Sequence, residues 1–179
     1  MNLTVITPPE EEPVSIATVK QHLRVDGTAD DALLGVYLQA ARELGEGLAR
    51  RAFVTQTLRL VLDAFPTGPL KLPRPPLQSV ESVTYLDADG VEHEWTDFSV
   101  DARSEPGRIV FNSTPSASLF ESGAVAIEFI AGYGADTDVP QTFVTAILQT
   151  VATWYELREM GDVPLSAKRL FMSDRGSWF

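Results

Sequence analysis

The chain has 179 residues, no cysteine, and 14 Lys and Arg against 25 Asp and Glu, a formal net charge of −11. The lack of cysteine excludes disulfide frameworks, Cys-ligated zinc, iron–sulfur clusters and thiol nucleophiles. The acidity is spread along the whole chain and excludes the clustered cations that tight duplex binding requires, and no stretch approaches the ~20 apolar residues of a bilayer span.

Met1 to Pro13 has a short apolar-leaning start, Leu3 to Ile6, then Pro8, Pro9 and Glu10-Glu11-Glu12. This pattern is neither a signal nor a transit peptide and predicts a protein of the cytoplasm or of an assembly built there. Pro13-Val14-Ser15 opens a short helix, with Ser15 placed to cap it and Ile16, Val19 and Leu23 on one face. A second helix begins near Thr28 or Asp30 and carries Leu33, Leu34, Tyr37, Leu38, Ala41, Leu44 and Leu48 at helical spacing as far as Arg50-Arg51. The two arginines suit the negative end of the helix dipole, and Gly35, Gly45 and Gly47 either weaken the helix or admit a close neighbour.

At Phe53 the period changes to alternation. Thr55 to Leu62, Leu70 to Leu72, Val80 to Tyr85, Val91 to Trp95, Phe98 to Asp101, Arg108 to Phe111 and Val125 to Ile130 read as short strands. Asp87-Ala88-Asp89-Gly90 reads as the turn of a hairpin. After Gly132-Tyr133-Gly134 a long helix begins at Pro140, carries Phe143, Val144, Ile147, Leu148, Val151, Trp154 and Tyr155 on one face, and ends near Glu159, with Gly161 at the cap. Neither apolar helix stripe can be buried alone, so the lead and closing helices pack on each other.

The expected fold is therefore α+β. Residues 1–52 and 136–160 form a helical bundle of two N-terminal helices plus a long C-terminal helix, and residues 53–135 form an inserted small antiparallel β-sandwich or barrel. Residues 161–179 form an extended C-terminal tail. That tail mixes cations with Leu170, Phe171, Trp178 and Phe179, apolar groups that want a cover.

Signals for chemistry are weak. His22 lies among cations on the first helix. His93, in Glu92-His93-Glu94, points away from both glutamates if the segment is a strand. Asp87-Ala88-Asp89-Gly90 lacks the remaining ligands of a calcium loop, and Gly132-Tyr133-Gly134 lacks the third glycine of a dinucleotide fingerprint. No cofactor, metal or catalytic residue is assigned, and a non-enzymatic role is expected. A metal hydrolase built on His93 and a β-sandwich that binds a receptor or carbohydrate stand as the other readings.

Several segments carry a resemblance, in order along nearly the whole chain: Ile6-Thr7-Pro8-Pro9, Glu12-Pro13-Val14-Ser15, Val19 to Asp26, Asp30 to Leu34, Arg51 to Thr57, Leu62 to Pro66, Leu72 to Val80, Tyr85 to Gly90, Ala131 to Gly134 and Tyr155 to Glu159. Together they resemble the head–tail connector, or adaptor, proteins of long-tailed bacteriophages and gene transfer agents. The resemblance implies a structural subunit of the particle neck, assembled in the bacterial cytoplasm into a homo-oligomeric ring, commonly a dodecamer. The ring lies beneath the portal protein and above a stopper, head-completion or tail protein, and DNA passes through it without specific binding. The helical bundle would form the ring, with Leu33, Tyr37, Leu44, Phe143, Ile147, Trp154 and Tyr155 in helical packing and ring contacts. The tail would dock on the portal through Leu170, Phe171, Arg175, Trp178 and Phe179.

Overall fold

A computed structural model describes residues 1–175, and the chain divides into two compact units. One comprises Met1–Pro9 with Thr55–Gly132, the other Glu10–Val54 with Tyr133–Phe179.

The first unit is all β. Strand β1 (Asn2–Thr7) pairs antiparallel with β2 (Gln56–Leu62), which pairs with β8 (Val125–Ala131). Strand β4 (Leu77–Leu86) flanks β8 on its other side and continues through the hairpin to β5 (Glu92–Glu94), giving the order β1-β2-β8-β4-β5. A second sheet has the order β3-β7-β6, from β3 (Leu70–Lys71), β6 (Phe98–Asp101) and β7 (Arg108–Phe111). Among the described residues the strands form two antiparallel sheets and no closed barrel. The period-2 pattern is cleanest in β8, where Val125, Ile127, Phe129 and Ala131 are buried and the residues between them are not. Strand β4 carries two register shifts, at Leu77/Ser79 and Val80/Ser82, so its apolar residues do not alternate cleanly.

Asn2–Thr7 corrects the expectation that residues 1–52 belong to the helices. The apolar start of the chain is an edge strand, which alternation over so few residues did not distinguish from a loop.

The second unit is helical. Helix α1 (Ile16–Leu23) starts as expected at Ser15, whose Oγ accepts the Thr18 N–H at 3.1 Å. Helix α2 (Asp31–Ala49) and helix α3 (Gln141–Leu157) pack face to face. Pro140 precedes the first turn of α3, and Arg158, not Gly161, takes the left-handed cap with φ 55°. Arg24 and Arg50 end α1 and α2 in the same conformation, at φ 57° and 56°. Three helices thus end on an arginine in a region that glycine normally occupies, with the side-chain charge at the negative pole of the dipole.

Residues 161–179 are not an extended tail throughout. Leu165–Ser173 form a helix, α4, introduced by Pro164. Ala167 and Phe171 lie in the same buried cluster as Leu34, Tyr37, Phe53, Phe143, Ile147 and Trp154.

Candidate functional site

The helical unit has a dense centre, and open grooves lie on its surface. In the centre, Phe53 stacks on Phe143 at 4.5 Å and on Phe171 at 6.2 Å, and Tyr37 meets Trp154 edge-on at 6.1 Å. Trp154 Nε1 donates to the Gly161 carbonyl at 3.1 Å. Phe171 reaches the centre because position 45 is glycine: a Cβ there would lie 2.5 Å from the Phe171 ring. The C-terminal end of α4 is tied down by Arg51, a buried side chain that donates through Nε to the Asp174 carbonyl at 2.7 Å and through Nη2 to its carboxylate at 3.1 Å.

A second polar knot holds the entry to the unit. Arg42, also buried, donates to Glu12 Oε2 at 2.8 Å and lies 3.5 Å from Glu46 Oε2. Glu46 Oε1 accepts the Phe53 N–H at 2.8 Å, satisfying a backbone donor just beyond α2. Tyr155 donates its hydroxyl to Asp30 at the start of α2, and this bond to the carboxylate raises the phenol pKa above its ordinary value.

The residues expected to serve assembly therefore separate into groups. Tyr37, Phe143, Ile147 and Trp154 are core, Leu33 and Tyr155 are half-buried against it, and Leu44 is 47% exposed. Phe171, expected to dock on the portal, is 0% exposed and serves its own subunit. Leu170 packs partly on the same core, Arg175 is exposed, and Trp178 and Phe179 lie outside the described residues.

Two open grooves flank the exposed face of α2. One, of about 420 Å³, is lined by Leu44, Leu48, Val163, Leu165, Lys168 and the Gly161-Asp162 turn. The other, of about 280 Å³, has Val14, Ile16, Gly35 and Leu38 as its apolar surface and Glu11, Glu12 and Asp136 as acidic groups. The exposed residues of α4 lie outside the residues expected to serve assembly. A signal existed: Leu165, Arg169 and Met172 are spaced i, i+4, i+7 and are all exposed.

In the β unit, His93 Nε2 lies 2.7 Å from Asp87 Oδ2 and its ring stacks on Tyr85 at 5.2 Å. The Asp87 carboxylate also accepts the N–H groups of Asp89 and Val91 inside the hairpin turn, whose Gly90 has φ 78°. Asp87 is thus occupied with turn formation, and among the described residues no three His, Asp or Glu are placed to hold a metal. At Gly134, with φ 135°, the Asp138 carboxylate accepts the Ala135 N–H, so the turn after β8 is closed by its own side chain. Phe65, Tyr85, Trp95, Phe98 and Phe111 form a half-buried aromatic group, but they pack edge-on against one another.

Residues 13–96 match the family of phage gp6-like head–tail connector proteins. Among solved structures, the whole chain is similar to a chain in the neck of an empty gene transfer agent particle computed with C6 symmetry. That match has 28% identity and a TM-score of 0.83, and covers 100% of this chain and 97% of the other. A chain from the virion of a native gene transfer agent particle matches at 28% identity and TM-score 0.82, with the same coverage. One from the neck of a native particle computed with C12 symmetry matches at 25% identity and TM-score 0.77, covering 100% and 99%. No protein of curated function matches the chain. The chain thus carries a segment similar to the phage gp6-like head–tail connector proteins at residues 13–96 and, over its full length, is similar in fold to chains of gene transfer agent necks.

Proposed function

We propose that the protein is a structural connector in the neck of a phage or gene transfer agent particle. Copies join into a closed ring, twelve in number, that sits under the portal and extends the DNA channel toward the next neck or tail component. The observation that carries this reading is likeness over the entire chain, both units together, to neck subunits of particles with sixfold and twelvefold symmetry. The protein acts by binding and not by catalysis. Its acidity fits a conduit, since a channel wall that does not attract phosphates lets the duplex slide.

The portal contact belongs to the chain beyond α4, starting at Arg175, because Phe171 is committed to the core and Leu170 is half-buried there. Removing the whole of Pro164 to Phe179 would strip Ala167 and Phe171 from the core and test stability instead of docking. The informative truncation deletes Arg175 to Phe179. The shortened chain should keep the wild-type melting temperature within a few degrees and lose co-sedimentation with purified portal rings; retained binding would remove the portal assignment from this segment.

A further inference from the structure

We propose that the two grooves at opposite flanks of the exposed face of α2 are the two halves of a head-to-tail contact between copies of this chain. In this contact the Leu44–Leu165–Lys168 side of one subunit docks on the Ile16–Gly35 side of the next. The inference rests on the ring reading above and specifies which surfaces close the ring.

Helical geometry places the two sides apart. Gly35 lines one groove and Leu44 the other. Nine residues at about 100° each leave them about 180° apart around the helix axis. A ring subunit needs two different faces pointing in different directions, whereas a twofold dimer needs one face used twice.

Charge distinguishes these arrangements. The first side carries Lys168 and Arg169, which are exposed and have no ion pair among the described residues. They are conspicuous in a chain with so few cations. Asp162 lies in the same groove. The second side carries Glu11 and Asp136, likewise without a cation among the described residues, and Glu12, which is already bound to Arg42. Like-to-like pairing would place Lys168 and Arg169 near their own copies, or Glu11 and Asp136 near theirs. Pairing of unlike sides matches cations to carboxylates and rejects the wrong arrangement.

Apolar area supports the same pairing. Leu44 and Leu165 are 47% and 65% exposed, and Ile16 is 37% exposed next to the open backbone of Gly35. The first side is also rigid before any partner arrives. Phe171 in the Gly45 notch and Arg51 at Asp174 hold α4 against its own subunit. Its outer face is then presented without an ordering cost on association.

The absence of native cysteine makes the test direct. The full-length chain, assembled on purified portal rings, is made as Ile16→Cys, as Leu165→Cys and as the double variant, and each is treated with a short bismaleimide. The double variant should give a ladder of dimers, trimers and higher species, and each single variant should stay monomeric. Cross-linked dimers from either single variant, or an unlinked double variant in preparations where electron microscopy shows rings, would overturn the proposal. A second set does not depend on cross-linking. Lys168→Glu and the pair Glu11→Lys with Asp136→Lys should each abolish ring formation, and combining all three changes should restore it. If restoration fails while wild-type rings form, the pairing is wrong. If the wild-type chain forms no ring on the portal, the ring reading itself falls.

Discussion

At the scale of single residues, a few side chains do work that their sequence context hides. Gly45 is one: in the middle of α2 it costs helix stability relative to alanine, about 1 kcal/mol, yet it opens the notch for Phe171. Gly45→Ala should therefore destabilise the protein by about 1–3 kcal/mol, the cost of overpacking, despite the gain in helix propensity. The loss should shrink in a Phe171→Leu background, as a double-mutant cycle from chemical denaturation would show. Asp101 is another. Its carboxylate accepts from the Ser104 hydroxyl at 2.6 Å, from Arg108 at 2.8 Å and from the N–H groups of Ser104 and Arg103. These bonds, that from Ser104 foremost, hold its pKa well below the ordinary carboxylate range. A depressed folded pKa contributes stability that is complete above the unfolded value near 4 and is lost as pH falls below it. The melting-temperature gap between wild type and Asp101→Asn should stay constant from neutral pH to about pH 5 and narrow toward about pH 2. A gap that does not change with pH would show that the bonds to Asp101 do not favour its charged form.

At the scale of elements, what was legible in the sequence depended on how local the determining physics is. Helix α1 with its Ser15 cap, the α2 and α3 stripes, and seven of the eight strands among the described residues follow from spacing and turn chemistry alone. Strand β1 and helix α4 were missed for the same reason. Each is short, each sits near a terminus, and each is defined by a partner distant in sequence, β2 for the first and the α2–α3 core for the second. Buried Phe171 was read as a docking group because an aromatic near a chain end has the same sequence signature whether its pocket lies in its own subunit or in another. The exposed sides of α2 were less legible still, since Leu44 and Leu34 occupy the same kind of position in an apolar stripe and only packing separates them. The helix ends were readable in place but not in kind. Arg24 adopts φ 57° where glycine is customary. Arg24→Gly should be nearly neutral, with relief of the left-handed strain balancing loss of the dipole contact, while Arg24→Val should cost about 1–2 kcal/mol. Equal stabilities of the two variants in urea melts would remove this account of the cap.

At the scale of the whole molecule, the helical unit is held by two polar knots of its own. Arg42 with Glu12 and Glu46 fixes the entry of the chain, and Arg51 with Asp174 fixes its exit. On its surface lie a groove with Lys168 and Asp162 and a groove with Glu11, Glu12 and Asp136, and a terminal segment begins at Arg175. The excess of carboxylates argues against DNA as a ligand and is compatible with DNA as a passing neighbour. We propose that this chain acts in the particle as a ring-forming connector between portal and tail. Cryo-electron microscopy of particles carrying a tagged copy tests it most directly. A single closed ring of tagged subunits directly beneath the portal and enclosing the DNA channel is expected; tag density elsewhere on the particle, or subunits that do not close around the channel, would overturn the connector role.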